Sequence, residues 1–294
     1  MLKRVKQAAS IFKSRGITSL IFETSVYFYR HFFRKITPKI GYSEYALGID
    51  YAPIIIEKDE RYLDKFFYRN SHYAYNLNKE LGLRLGHIAL TRLNDHVVII
   101  GGGEGITAIT AGKQVGKNGK LTIYDGLSGN ENVYFGTEKI KNNLILNQIP
   151  EIFNLVQAIV TTEKDHENIY PNEKIVAKII HPKDLPNCDV LETDCNGAEL
   201  IILKNMKIKP RSMIIEIEAP FYKSLYKNGE HPRDTVKLIK DLGYKIVKMT
   251  GHEGIVLNDK EFFELIDIQY ESNSKKILKN GAKHSPIVYA TLEN

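Results

Sequence analysis

Four glycines fall within five positions, Gly101, Gly102, Gly103 and Gly105, directly after the apolar run HVVII at His96–Ile100. Glycine there permits positive φ and lets a ligand touch the backbone, and a helix beginning just after the loop offers free N–H groups to a carboxylate or phosphate. A tight turn with no ligand would use the same residues. A second turn, IYDG at Ile123–Gly126, places Asp125 twenty residues after Gly105. At the end of a strand its carboxylate can accept hydrogen bonds from both hydroxyls of an adenosine ribose. The two turns together point to an adenosine-containing cofactor, met by Gly101, Gly102, Gly103, Glu104, Gly105, Asp125 and Gly126. A dinucleotide fingerprint needs G-x-G-x-x-G, and here Ile106 stands at the third glycine position. A triphosphate loop needs Gly-Lys-Ser/Thr, and GEGIT has no lysine.

The elements that must position these residues follow from periodicity. Short apolar runs predict strands at Val97–Ile100, Leu121–Tyr124, Leu155–Val160, Asp189–Glu192, Met213–Ile217, Lys245–Met249 and Ile287–Thr291. Helical spacing predicts helices at Ile106–Gln114, Asn132–Gln148, Ala198–Met206 and Arg233–Leu242. Strand and helix alternating through five strands imply right-handed crossovers and a mostly parallel sheet covered on both faces, which is why the strands are apolar throughout. No helical pattern separates the last two strands, so they are expected to close the sheet as an antiparallel pair.

The segment CDVLETDCNGAELIILKNM at Cys188–Met206 resembles the fourth strand, turn and helix of the FkbM-type S-adenosylmethionine-dependent methyltransferases, whose signature is L-K-I-D-x-E-G-A-E. Asp194, Gly197, Ala198 and Glu199 match it. VVIIGGGEG, IYDG, IIEIE and VKLIKDLGYKIV extend the resemblance over about residues 94 to 250. It implies a class I methyltransferase (Rossmann-like) α/β fold, S-adenosyl-L-methionine as cofactor, Gln157 and Ala158 at the adenine edge, and sugars, glycan precursors or related small molecules as acceptors. Two positions depart from the pattern: Ile99 stands where the first strand usually carries an acid, and Asn196 replaces the glutamate of D-x-E-G.

Methyl transfer is an in-line displacement at an already activated carbon, so an enzyme mainly aligns the partners and removes a proton from a hydroxyl. Asp194 and Glu216, at the ends of neighbouring strands, are the candidates for orienting or deprotonating an acceptor oxygen. Glu199 is expected as a first-turn helix acid. The reading is therefore an O-methyltransferase acting on a hydroxyl or carboxyl. Its rivals are a cofactor-binding protein without turnover, suggested by Ile99 and Asn196, and an NAD-dependent oxidoreductase. The histidines are scattered with no pair spaced to set two ligands on one helix face, so no metal is expected; His252, in TGHEG, could line the acceptor pocket.

Charge divides the chain. Residues 1–40 carry nine Lys/Arg against Glu23, a net +8, and the other 254 residues sum to −2. A basic arm on a nearly neutral body argues against nucleic acid as the partner of that body. Leu2, Val5, Ala9 and Phe12 recur at helical spacing, and SLIFETSVYFYRHFFRK follows. This reads either as an interfacial membrane helix pair or as a helical cap on the body. Residues 1–92 are expected to form a basic, aromatic N-terminal extension, with 41–92 as a lid, and 93–294 the cofactor domain. Two cysteines and the lack of a signal-peptide pattern or a long apolar run fit a cytoplasmic protein able to touch a membrane surface through residues 1–40.

Overall fold

The structure is a computed structural model that describes residues 17, 18, 21, 24, 25, 27–37, 39–47, 53–61, 80–126, 137–165, 178–195, 197–218, 230–272, 278 and 285–292. The chain forms two compact units, residues 1–45 with 56–76 and residues 46–55 with 77–294. In the first, the described residues from 17 to 28 are helical and lead into a π-helical turn at Tyr29–Phe33 and a 3-10 turn at Arg34–Ile36. The first expected helix, at Leu2–Phe12, lies outside the described residues. Strands β1 (Lys39–Leu47) and β2 (Pro53–Arg61) pair as a two-stranded sheet, which the aromatic content of this region did not foretell.

In the second unit, α1 (Leu81–Leu90) precedes β3 (His96–Ile100), α2 (Ile106–Val115), β4 (Lys120–Asp125), α3 (Thr137–Leu146), β5 (Phe153–Val160) and β6 (Lys178–Ile180). Then come β7 (Val190–Thr193), α4 (Glu199–Asn205), β8 (Ser212–Glu216), α5 (Arg233–Asp241), β9 (Tyr244–Gly251), α6 (Asp259–Ser272) and β10 (Pro286–Leu292). The strands form one eight-stranded sheet in the order β6-β5-β4-β3-β7-β8-β10-β9. Strands β3 to β8 pair in parallel, and β10 runs antiparallel to both β8 and β9. The architecture is the expected one: a Rossmann-like, mostly parallel sheet with an antiparallel strand near its end.

The chain winds outward from β3 through β4 and β5, then returns to the other side of β3 with β7 and β8. The crevice outside the carboxyl ends of β3 and β7 is therefore the place where a ligand enters such a sheet. Helices cover both faces. One face packs Leu191, Met213, Ile215 and Val288 against Leu200 and Leu203 of α4, Val236 and Ile239 of α5, and Phe262 and Leu265 of α6. On the other, α1 comes so close that a methyl group on Gly86 would lie 2.7 Å from Cγ2 of Ile214. Arg211 fixes the far end of α1, donating to Leu90 O (2.9 Å) and to both carboxylate oxygens of Asp95 (3.0 and 2.7 Å).

The two units divide the chain at 45/46, 55/56 and 76/77, and α1 packs against the sheet. Two expectations change. A helix, α6, does separate the last two strands, started by a reciprocal box in which Glu261 N–H donates to Asn258 Oδ1 (3.0 Å) and Asn258 N–H to Glu261 Oε2 (3.1 Å). Edge strand β6 was not foreseen. The expected start of α3 at Asn132 lies outside the described residues.

Candidate functional site

Each glycine of the loop after β3 has a separate task. Gly101 has φ +95, and a methyl group on it would come 1.6 Å from the carbonyl oxygen of Asp194, so only glycine lets the ends of β3 and β7 close on each other. Gly103 has φ +51 and faces open space, with nothing within 4 Å of where a side chain would begin. Gly102 is packed on Ile123 and Ile140, and Gly105, also at positive φ, precedes the first residue of α2. The loop is tied to the next strand by Gly101 N–H donating to Tyr124 O (2.9 Å).

Asp125 ends β4 and lies under this loop, its Oδ2 accepting from the Gly103 N–H at 2.8 Å. Burial pushes its carboxyl up to about 6, partly offset by the N–H groups of Gly103 and Gly102. Glu104 is also buried, paired with Lys139 at 2.8 Å, while its carbonyl accepts from Asn143 Nδ2 (2.8 Å). Gly126 is required by packing, since a methyl group there would lie 2.3 Å from Cγ1 of Ile159. Gln157 is exposed and level with Asp125 across the β4–β5 ladder. Ala158 belongs to the buried core, and β5 runs on to Val160, where the predicted strand also ends.

Beyond β7 and β8 the fold gathers acids. The carboxylates of Asp194, Glu216 and Glu218 lie within 4.8 Å of one another. Burial, and then the charges of Glu216, Glu218, Glu80 and Glu192, push the Asp194 carboxyl well above the ordinary range, so it holds a proton where a solvated aspartate would not. Three hard oxygen donors so arranged can share protons or hold a divalent cation. His252, after β9, places Nδ1 3.3 Å from Glu216 Oε1, and the Glu80 N–H donates to its Nε2 at 3.2 Å. That geometry fixes the neutral ring with its proton on Nδ1, pointing at Glu216. Burial opposes a charged ring, but the hydrogen bond to Glu216 and the charges of Glu216, Glu80 and Glu253 outweigh it and carry the imidazole to about 9; protonation would break the Glu80 contact.

Glu199 is not part of this group. Its Oε1 accepts from the N–H groups of Cys195 (3.0 Å) and Gly197 (3.2 Å), closing the turn before α4, and burial raises its carboxyl to about 7. Position 196 lies outside the described residues. Ile99 pairs laterally with Glu192, which is fully buried, hydrogen-bonded to His87 Nε2 and accepting from Thr107 Oγ1 (2.8 Å) in the first turn of α2. Sequence reasoning missed Glu218, the His252–Glu216 contact and this buried bridge. Glu218 was visible as the second acid of IIEIE, whereas the bridge joins residues 105 positions apart and has no local signal.

Strand order, the glycine loop and the acids beyond β7 and β8 define a class I methyltransferase-like fold. No protein-family model matches the chain, and a comparison with curated proteins finds no match. Among solved structures, a fibrillarin from Aeropyrum pernix with natively bound S-adenosyl-L-methionine is similar at 10% identity, covering 87% of this chain and 100% of that one, with a TM-score of 0.39. A SAM-dependent methyltransferase from Aquifex aeolicus is 12% identical over 78% and 99% of the two chains, with a TM-score of 0.41. An O-methyltransferase from Bacillus cereus in complex with SAH is 11% identical over 76% and 84%, with a TM-score of 0.40. These likenesses are too distant to argue from, and the fold rests on the strand order itself.

Proposed function

We propose that the chain is an S-adenosyl-L-methionine-dependent methyltransferase of the FkbM type, transferring a methyl group to a hydroxyl or carboxyl oxygen of a sugar, a glycan or a related small molecule. The observation that carries this reading is the pairing of an open, side-chain-free loop at Gly103 with the buried carboxylate of Asp125 beneath it. The residues fit such a cofactor. A carboxylate has about four acceptor positions, so the Gly103 N–H leaves Asp125 with capacity for ribose hydroxyls. Gly101, Gly102, Gly103, Glu104 and Gly105 would line its amino-acid end, with Gly126, Gln157 and Ala158 toward the base. When bound, the cofactor supplies a methyl group already activated on a sulfonium.

The protein's own part is alignment and proton removal. Asp194, held by its N–H to Ile100 O (2.9 Å), and Glu216 face the crevice end of adjacent strands. A positive charge beside this acidic group favours its ionised form, which converts Asp194 from a proton holder into an acceptor for the substrate hydroxyl proton. A labelled-methyl assay against a cell extract tests this: label transferred to a small molecule or glycan supports the enzyme, and cofactor binding without transfer supports the binding-protein alternative.

Asp125→Ala removes a charge-assisted contact of about 1.5 to 3 kcal/mol and is expected to weaken S-adenosylhomocysteine binding roughly tenfold to a hundredfold. Ribose hydroxyls donate to the ionised carboxylate, so wild-type affinity should rise as pH climbs through about 6, and the variant should lose that step. Titration calorimetry across that range checks both, and an unchanged affinity removes Asp125 from the site.

The partner reading includes a membrane surface. Ile17, Ile21, Phe28, Phe32, Phe33 and Ile36 are each between 50 and 78% exposed, in a stretch that also carries Arg30, Arg34 and Lys35. Apolar rings flanked by cations suit an anionic leaflet, where each Lys or Arg contributes about 1 kcal/mol. No described helix is long and apolar enough to cross a membrane. Full-length protein is expected to sediment with anionic liposomes at low salt, and replacing Phe28, Phe32 and Phe33 by serine should abolish this. Equal sedimentation of both proteins would make the segment a cap instead.

A further inference from the structure

Arg84 is only 4% exposed, and its Nε and Nη1 have no hydrogen-bond partner. Among the described residues no carboxylate forms an ion pair with it. A guanidinium cannot escape this by losing its proton, and a buried, unpaired charge is a heavy burden on a fold. Burial draws its pKa down, with only the charge of Glu80 pushing back. Such a group persists where a ligand brings the anion.

Its place in the fold says which ligand. The beginning of α1 is anchored beside the acidic group: Gly82 N–H donates to His252 O (2.9 Å), and Glu80 N–H to His252 Nε2 (3.2 Å). Three residues beyond Arg84, His87 meets Glu192, which also holds Thr107 in the first turn of α2. Arg84 thus stands one turn inside α1, between the crevice end of the helix and the bridge to the glycine-loop helix. The same Glu80 charge acts on Arg84, Asp194 and His252. The rest of the site is acidic and suits the ammonium and sulfonium of an adenosyl amino acid. It repels the remaining group, the α-carboxylate.

We infer that Arg84 is the carboxylate-binding residue of the cofactor site, pairing with the α-carboxylate at the amino-acid end of the adenosyl ligand. This rests on the methyltransferase reading. A guanidinium suits a carboxylate because it is planar, always charged and rich in N–H donors.

The test titrates the full-length protein with three probes: S-adenosylhomocysteine, the same compound lacking its α-carboxylate, and methylthioadenosine. Wild type should prefer the first over the second by about 30-fold. Arg84→Met should bind those two equally and methylthioadenosine as well as wild type does, and Arg84→Lys should keep an intermediate preference. Without ligand, Arg84→Met should melt at a higher temperature, because an unpaired buried charge has gone. A retained preference in Arg84→Met, equal loss of all three probes, or a lower melting temperature overturns the inference. A wild type that treats the first two probes alike overturns it without any variant. A wild type that binds none of the three overturns the methyltransferase reading as well.

Discussion

Replacing Asp194 by Asn is expected to lower turnover about a hundredfold or more while leaving S-adenosylhomocysteine affinity within a few-fold of wild type. The substitution keeps the shape of a side chain whose backbone is fixed by the β3–β7 ladder, so the loop geometry survives. It removes the group that burial and four neighbouring carboxylates have pushed well above the ordinary range. A base with such a pKa is idle at low pH, so the wild-type rate should climb on a limb displaced above that of an ordinary carboxylate, and Asp194→Asn should flatten it. Glu216→Gln should show a smaller loss of the same kind. Single-turnover and binding measurements separate the outcomes: equal losses in affinity and turnover would make Asp194 a cofactor-holding residue. Chelation by EDTA is expected to change nothing, because taking a proton from the acceptor needs a base and no metal. Activity lost to EDTA and restored by magnesium would assign Asp194, Glu216 and Glu218 to a cation instead.

Gly101→Ala and Gly103→Ala should fail in different ways. At Gly101 the added methyl meets the Asp194 carbonyl oxygen at 1.6 Å, on a backbone with φ +95. Neither strand can yield without breaking the ladder between them, so a loss of about 4 kcal/mol or more is expected, enough to unfold a domain of ordinary stability. At Gly103 the methyl meets nothing, and φ +51 costs a non-glycine residue about 1 to 2 kcal/mol. That variant should fold, with a cooperative melt near wild type, yet bind S-adenosylhomocysteine at least roughly tenfold more weakly because the methyl occupies the ligand's approach. Chemical denaturation and calorimetry distinguish the two. A Gly101→Ala protein as stable as wild type would contradict the geometry of the loop.

The parts of the fold legible in the sequence are those with strong local pattern. HVVII, KLTIYD and SMIIE are buried on both faces and therefore mostly apolar, so their identity and order could be read directly. Helix α1 could not, because LGLRLGHIAL carries two glycines and a histidine that weaken a helical pattern. The structure explains them: Gly82 and Gly86 allow the helix to lie against the sheet, and His87 reaches a buried glutamate on a distant strand. The start of helix α6 is marked locally by NDKE, a capping box, whereas the segment that follows it lacks a clear helical period. In the site, the glycine loop and Asp125 announce themselves by spacing. His252 comes from an element far from the motifs, and only the folded chain brings it against Glu216.

Calorimetric titration of the full-length protein with S-adenosylhomocysteine, set beside NADH under the same conditions, bears most directly on the proposed activity. The glycine spacing, the open Gly103 and the carboxylate of Asp125 predict saturable binding of one S-adenosylhomocysteine per chain, abolished or much weakened in Gly103→Ala and Asp125→Ala, with no binding of NADH. Binding of NADH in place of S-adenosylhomocysteine, or S-adenosylhomocysteine binding that both substitutions leave untouched, would contradict the account.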